Sequence, residues 1–159
     1  WRLRSSLLYD PNDNTFDAAS AQVSYRPGEG RLLNVGYTLR EPPPSLLNRP
    51  VTEQANVSAY YPINDNWRIF GALEYSLEAN EAVEDMVGLE YDGCCWQARL
   101  LYMRYIDTAG GFAPDFSDPN LERENAVQFQ FSLKGMGGFG RRVENLLTDM
   151  IRGFNDRYY

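Results

Sequence analysis

The sequence predicts an all-β fold: a transmembrane antiparallel β-barrel segment of about eight meander strands, followed by a short C-terminal amphipathic helix. Three observations predict it. Apolar and polar residues alternate with period two in run after run. Large aromatics sit near the ends of the apolar face, where the girdles of a membrane barrel lie. The opposite face is rich in Gln, Ser, Asn and Arg, which suits a water-filled lumen better than a dry core. Residues 1–134 form the strand region, and residues 135–159 form a Gly-rich exit and tail helix.

The strands follow in order. Trp1, Leu3, Leu7 and Tyr9 oppose Arg2, Arg4 and Ser6, and a break at Pro11–Asn14 ends the run. Ala19, Ala21, Val23 and Tyr25 alternate with Ser20, Gln22 and Ser24 up to the turn signal Arg26-Pro27-Gly28-Glu29-Gly30. Leu33, Val35, Tyr37 and Leu39 oppose Asn34, Gly36 and Thr38. A proline-rich loop then leads to Ala55, Val57, Ala59 and Tyr61. After the Pro62–Asn66 turn come Trp67, Ile69, Leu73 and Tyr75, against Arg68, Phe70, Ala72 and Glu74. Val87, Leu89 and Tyr91 enter a tight turn at Asp92–Cys95, and Trp96, Ala98, Leu100 and Tyr102 leave it. Val127, Phe129, Phe131 and Leu133 against Gln128, Gln130 and Ser132 make the last and cleanest run.

Each run lasts about 9–11 residues, the length of a tilted strand that crosses a bilayer. The expected aromatic girdle is Trp1, Trp67, Tyr75, Tyr91, Trp96 and Tyr102. Tight turns gather at one end and longer loops (Glu41–Thr52, Ile106–Glu124) at the other, where two of the four connections are nonetheless short; outer-membrane barrels likewise have short periplasmic turns and long outer loops. Alternation alone also describes a soluble sandwich, a lipocalin-like barrel, or a small self-contained eight-stranded barrel that anchors to a membrane or binds lipid. Whether the first and last strands pair with each other separates the closed readings from the segment reading. Beyond the glycines at 135, 137, 138 and 140, which are expected to end the sheet, Val143, Leu146, Leu147, Met150, Ile151 and Phe154 recur at helical spacing. Opening on Trp1 in mid-strand fits a piece of a longer protein or a processed mature chain.

Composition removes several functions. A net charge of −7 lacks the basic footprint that nucleic acid requires, and the absence of His removes the commonest general base and metal ligand. No stretch approaches the length of a membrane-spanning helix. No nucleophile motif or phosphate-cradling loop is present, so neither an enzyme nor a cofactor is expected. Glu74 and Glu90 fall on the lumen face of adjacent strands with Arg99, where a solvated lining outweighs any acid–base role.

The only cysteines, Cys94 and Cys95, are adjacent. Neighbours in an extended chain point to opposite sides, so the pair is poorly placed to bond to itself. If oxidised, each is expected to bond a partner outside this sequence in an oxidising compartment. A reduced incidental pair is the bland alternative, and two ligands cannot complete a metal site alone.

Gly88-Leu89-Glu90-Tyr91-Asp92-Gly93-Cys94-Cys95-Trp96, followed by Arg99-Leu100 and Arg104-Tyr105, resembles the C-terminal signature of the LptD family, the LPS-assembly proteins of the Gram-negative outer membrane. Gln128–Gly137 is similar to that family's last barrel strand and its glycine-containing exit. Tyr9–Asn14, Tyr25-Arg26-Pro27 and Tyr61-Pro62-Ile63 are similar to its preceding turns.

The resemblance implies the last part of a very large barrel of roughly twenty-six strands. It implies transport of lipopolysaccharide into the outer leaflet through a lateral seam. Val127, Gln128, Phe129, Gln130, Phe131, Ser132 and Leu133 would form one side of that gate. It also implies that Cys94 and Cys95 each bond a cysteine near an N-terminal periplasmic domain absent from this chain. Its implied partners are an LptE-type plug lipoprotein beside Glu74, Arg99, Gln128 and Gln130, an LptA-type periplasmic bridge reached through that N-terminal domain, lipopolysaccharide, and outer-membrane lipids. The tail and cysteine turn would lie on the periplasmic side. Arg104, near the outer rim, is a candidate contact for lipid A phosphates. The loop 107–123 and the tail helix carry no role from the resemblance.

Overall fold

The computed structural model describes residues 1–11, 15–41, 51–106, 123–134, 137–139 and 141–154. One antiparallel sheet runs through it in strict sequence order. Its strands are β1 (Arg2–Asp10), β2 (Thr15–Gly28), β3 (Arg31–Arg40), β4 (Thr52–Pro62), β5 (Trp67–Ser76), β6 (Glu81–Asp92), β7 (Trp96–Ile106), β8 (Arg123–Leu133) and the short β9 (Gly137–Phe139). One helix, α1 (Arg141–Met150), follows. The eight long strands are those the alternation predicts. The ninth is not: the glycine-rich exit does not end the sheet, because Gly137–Phe139 folds back and pairs with Phe131–Leu133. Most of the Glu41–Thr52 and Ile106–Glu124 loops falls outside the described residues.

Among the described residues β1 pairs with β2 alone, so the first and last strands do not meet and the sheet stays open. That arrangement is not the closed eight-stranded barrel. Among the described residues no helix is long and apolar enough to cross a membrane.

The register shows how the two faces arise. Leu3, Val23, Val35, Val57 and Leu73 stand in one cross-strand row. Tyr61, Ile69, Leu89, Leu100 and Phe129 stand in another. Both rows belong to a bare face: Val35, Val57, Ile69, Leu89, Leu100 and Phe129 are all exposed. An apolar face of this extent is not left to water by a soluble chain. On the other face Leu32, Tyr60, Phe70, Met86, Leu101 and Met103 are buried, and α1 is what covers them.

Two local features make that cover possible. Gly88 lies opposite Phe70 in the register, and a Cβ there would collide with the Phe70 ring and with the Leu100 carbonyl. Only a bare backbone lets the ring lie across β6. At the far end of the helix Gly153 has φ 85° and lies against the Arg26 guanidinium. A left-handed residue stops the helix there and turns Phe154 back onto the sheet.

Candidate functional site

The hairpin between β6 and β7 holds both cysteines. The Gly93 N–H donates to the Trp96 carbonyl at 2.9 Å, closing the turn. The side chain of Asn66, just before β5, donates to the Asp92 carbonyl at 2.9 Å, and Arg68 reaches the Asp92 carboxylate at 3.1 Å. On the other flank the Lys134 N–H donates to the Cys95 carbonyl at 2.9 Å. Its ammonium reaches the Gly93 carbonyl at 2.7 Å and Asp92 at 2.6 Å. The turn is thus tied to β5 on one side and to the end of β8 on the other. Both cysteines are exposed and free, with their Sγ atoms 2.9 Å apart.

That contact corrects the expectation that adjacent cysteines point apart. Cys94 and Cys95 sit at bends between two strands, so the alternation of an extended chain does not apply to them. The shared hydrogen bond with the Cys94 thiol, then that thiol's charge, push the Cys95 pKa above its ordinary value, while Lys134 pulls it down.

At the same end of the sheet the aromatics form a belt. Trp67 meets Tyr91 edge-on at 5.0 Å, Tyr91 meets Trp96 at 4.5 Å, and Trp96 stacks on Phe131 at 5.8 Å. Trp1 meets Tyr25 at 4.3 Å on β1 and β2, and Arg31 lies over the Tyr61 ring at 5.3 Å. At the opposite end Tyr75 bonds Asn80 and Tyr102 bonds Asn125, each through its hydroxyl. Rings facing the apolar band with hydroxyls turned to polar groups match the chemistry of a bilayer interface.

Beneath the cysteine turn, on the face that α1 covers, the register lines up Arg68, Glu90, Arg99 and Gln130. Glu90 accepts from Arg99 Nε at 2.6 Å and from the Tyr60 hydroxyl at 2.5 Å. Arg99 Nη1 donates to Gln130 at 2.9 Å, and its guanidinium lies 5.1 Å from the Phe154 ring centroid. Glu90 and Arg99 are only 1% and 2% exposed. They were expected to line solvated lumen and are instead sealed into a paired layer. Such a pair survives burial because nearly every polar atom finds a partner. Glu74 stands apart, on the same face but half-exposed, directly across from Glu84.

The remaining predicted residues are placed as follows. Val127 and Phe129 are on the bare face of β8 at 70% and 64% exposure, and Gln128 and Gln130 are on the covered face. Arg104 is not free for an incoming phosphate in this structure, since its guanidinium already meets both Asp85 carboxylate oxygens at 3.0–3.1 Å. Sequence reasoning missed the seat for α1. Its signal was present: Tyr60, Phe70, Met86, Leu101 and Met103 break the polar face with large apolar groups.

Comparison with known proteins agrees with this geometry. A family model, LptD (LPS transport system D), matches residues 1–67. The chain is 37% identical over 158 residues to the LPS-assembly protein LptD of Nitrosococcus oceani, covering 99% of this chain and 19% of that protein. It is 35% identical to the LPS-assembly protein LptD of Alcanivorax borkumensis, with the same coverage. To that of Acinetobacter baumannii it is 31% identical over 134 residues, covering 84% of this chain and 16% of the relative. The chain therefore spans about a fifth of the length of these curated relatives. With its open, two-faced, aromatic-belted sheet, the chain is similar over almost its whole length to a part of the LPS-assembly proteins LptD.

Proposed function

We propose that this chain is the closing segment of an outer-membrane barrel that delivers lipopolysaccharide into the outer leaflet. The observation that carries this reading is the bare apolar face bounded by aromatics at both ends, on a sheet that leaves β1 and β8 unjoined. A barrel wall in lipid needs such a face, and an open edge in lipid needs a strand from the rest of the barrel. The names of the relatives supply the cargo, since each is an LPS-assembly protein.

In this reading β8 is one side of the lateral seam. Val127 and Phe129 point to lipid, and β9 covers only the stretch from Phe131 to Leu133. The Cys94–Cys95 turn lies on the periplasmic side and bonds an N-terminal domain that connects to an LptA-type bridge. An LptE-type plug meets the polar rows of the covered face that α1 leaves free, among them Ser20, Thr38 and Asn56.

A photo-crosslinking residue in place of Val127 in the full-length protein tests the role of β8. Adducts with lipopolysaccharide are expected while export is running, and fewer when it is stopped. A protein that exports normally and yields no adduct anywhere along β8 would defeat the gate assignment.

A further inference from the structure

We propose that the tail from Val143 to Phe154 is a transverse strap that holds β8 to the barrel wall, with Leu147, Ile151 and Phe154 as its positioning residues. This rests on the reading of β8 as a seam strand. A helix that merely filled space along the strand direction would touch two or three strands. Here the contacts run across the sheet. α1 lies beside β8, and Ala126 of β8 is half-buried against the apolar cluster that the helix shares with the sheet. The cluster continues through Leu101 and Met103 of β7, Met86 of β6, Phe70 of β5, Tyr60 of β4 and Leu32 of β3. At the far end Arg152 donates to Gln22 of β2 at 2.9 Å, and its carbonyl accepts from Asn34 of β3 at 3.1 Å. Arg26 of β2 donates to the Gly153 carbonyl at 3.4 Å.

The seat is built for this one element. Large apolar groups are concentrated in the rows that the helix crosses. The next row outward is polar: Gln22, Gly36, Asn56, Glu74 and Glu84. Leu147, Ile151 and Phe154 have no exposed surface at all. Ile151 follows Leu147 by one helical turn, with its N–H donating to the Leu147 carbonyl at 2.9 Å, and Phe154 comes onto the same seat after the left-handed turn at Gly153.

The strap reaches β8 by a second route. Phe154 faces the Arg99 guanidinium, and Arg99 donates to Gln130 of β8. Between Val127 and Gln130, β8 has a backbone ladder with β7 and none with β9. Moving that stretch sideways must therefore break the Arg99–Gln130 bond and strip Ala126 from the cluster, besides opening one ladder. With the tail released, Arg99 loses its ring partner and the apolar rows hydrate, so β8 retains the ladder with fewer supports.

The test is hydrogen exchange on the full-length protein in lipid, comparing β8 amides (126–130) with β4 amides (55–60). The fraction correctly assembled is measured in parallel. Phe154→Ala is expected to speed β8 exchange at least tenfold and β4 exchange far less, and Phe154→Leu, which keeps a buried apolar group, to recover most of the protection. If Phe154→Ala fails to assemble, Ile151→Val gives a smaller cut at the same seat and the same β8-over-β4 asymmetry. Faster exchange of α1 itself with β8 unchanged, or equal acceleration of β4 and β8, overturns the strap. Loss of lipopolysaccharide adducts on β8 in the unaltered protein would overturn the transport reading while leaving the exchange result standing.

Discussion

Arg99 and Glu90 face each other directly across β6 and β7, and neither could be buried alone. Arg99→Ala takes the guanidinium partner at 2.6 Å from the buried Glu90 carboxylate and leaves Arg68, 3.6 Å away, as a weaker cation beside it, at a cost of about 3–5 kcal/mol. Arg104→Ala removes a pair that is 51% exposed on the Arg side and screened by solvent, so it should cost far less. Denaturant midpoints of the full-length protein in detergent check the contrast, and equal losses would contradict the paired layer. The thiols give a second test. A raised Cys95 pKa means less thiolate at any pH below it, so alkylation is slowed. Cys94→Ala removes the dominant cause, so the pH midpoint for Cys95 alkylation in the reduced protein should fall. A midpoint that stays or rises would show that Cys94 is not that cause.

Strands alternate between lipid and interior, so one residue of register decides what a substitution costs. Leu100 is on the bare face near the middle of β7, and Leu100→Arg should cost about 2–4 kcal/mol in the membrane. Thr38→Arg, on the covered face of β3 beside the polar trough, should cost much less. Assembled barrel per cell, read by heat-modifiability, compares the two, and reversed costs would put the wrong face in lipid. Each strand was legible because its period is short and its punctuation strong. Asn64, for instance, accepts from the Asn66 and Trp67 N–H groups at 3.0 and 2.8 Å and shapes the turn its sequence announces. The ninth strand was illegible because three residues, two of them glycine, carry no period.

For the whole molecule, the sheet presents the turn at Cys94 and Cys95 as an exposed platform tied to β5 and β8. In the full-length, transport-competent protein each cysteine is expected to be bonded to a cysteine elsewhere in the chain. Peptide mapping under non-reducing conditions reads this directly. A competent protein with both thiols free, or with the two joined to each other, would remove the platform's crosslinking role. The 2.9 Å contact makes the second outcome a real competitor, and strand alternation alone did not show it.

The sequence by itself determined the strand order, the two faces and the aromatic belts, because each depends on residues two apart or on one turn. It also carried the family signature around the cysteines. Only the tertiary structure decided that the polar face has an apolar centre, that α1 crosses it, and that Glu90 and Arg99 are sealed beneath. Those outcomes join residues far apart in the chain, such as Gln22 and Arg152 or Arg99 and Phe154. No local period encodes such a meeting. It follows from matching two apolar surfaces, one on the sheet and one on the helix, and removing both from water.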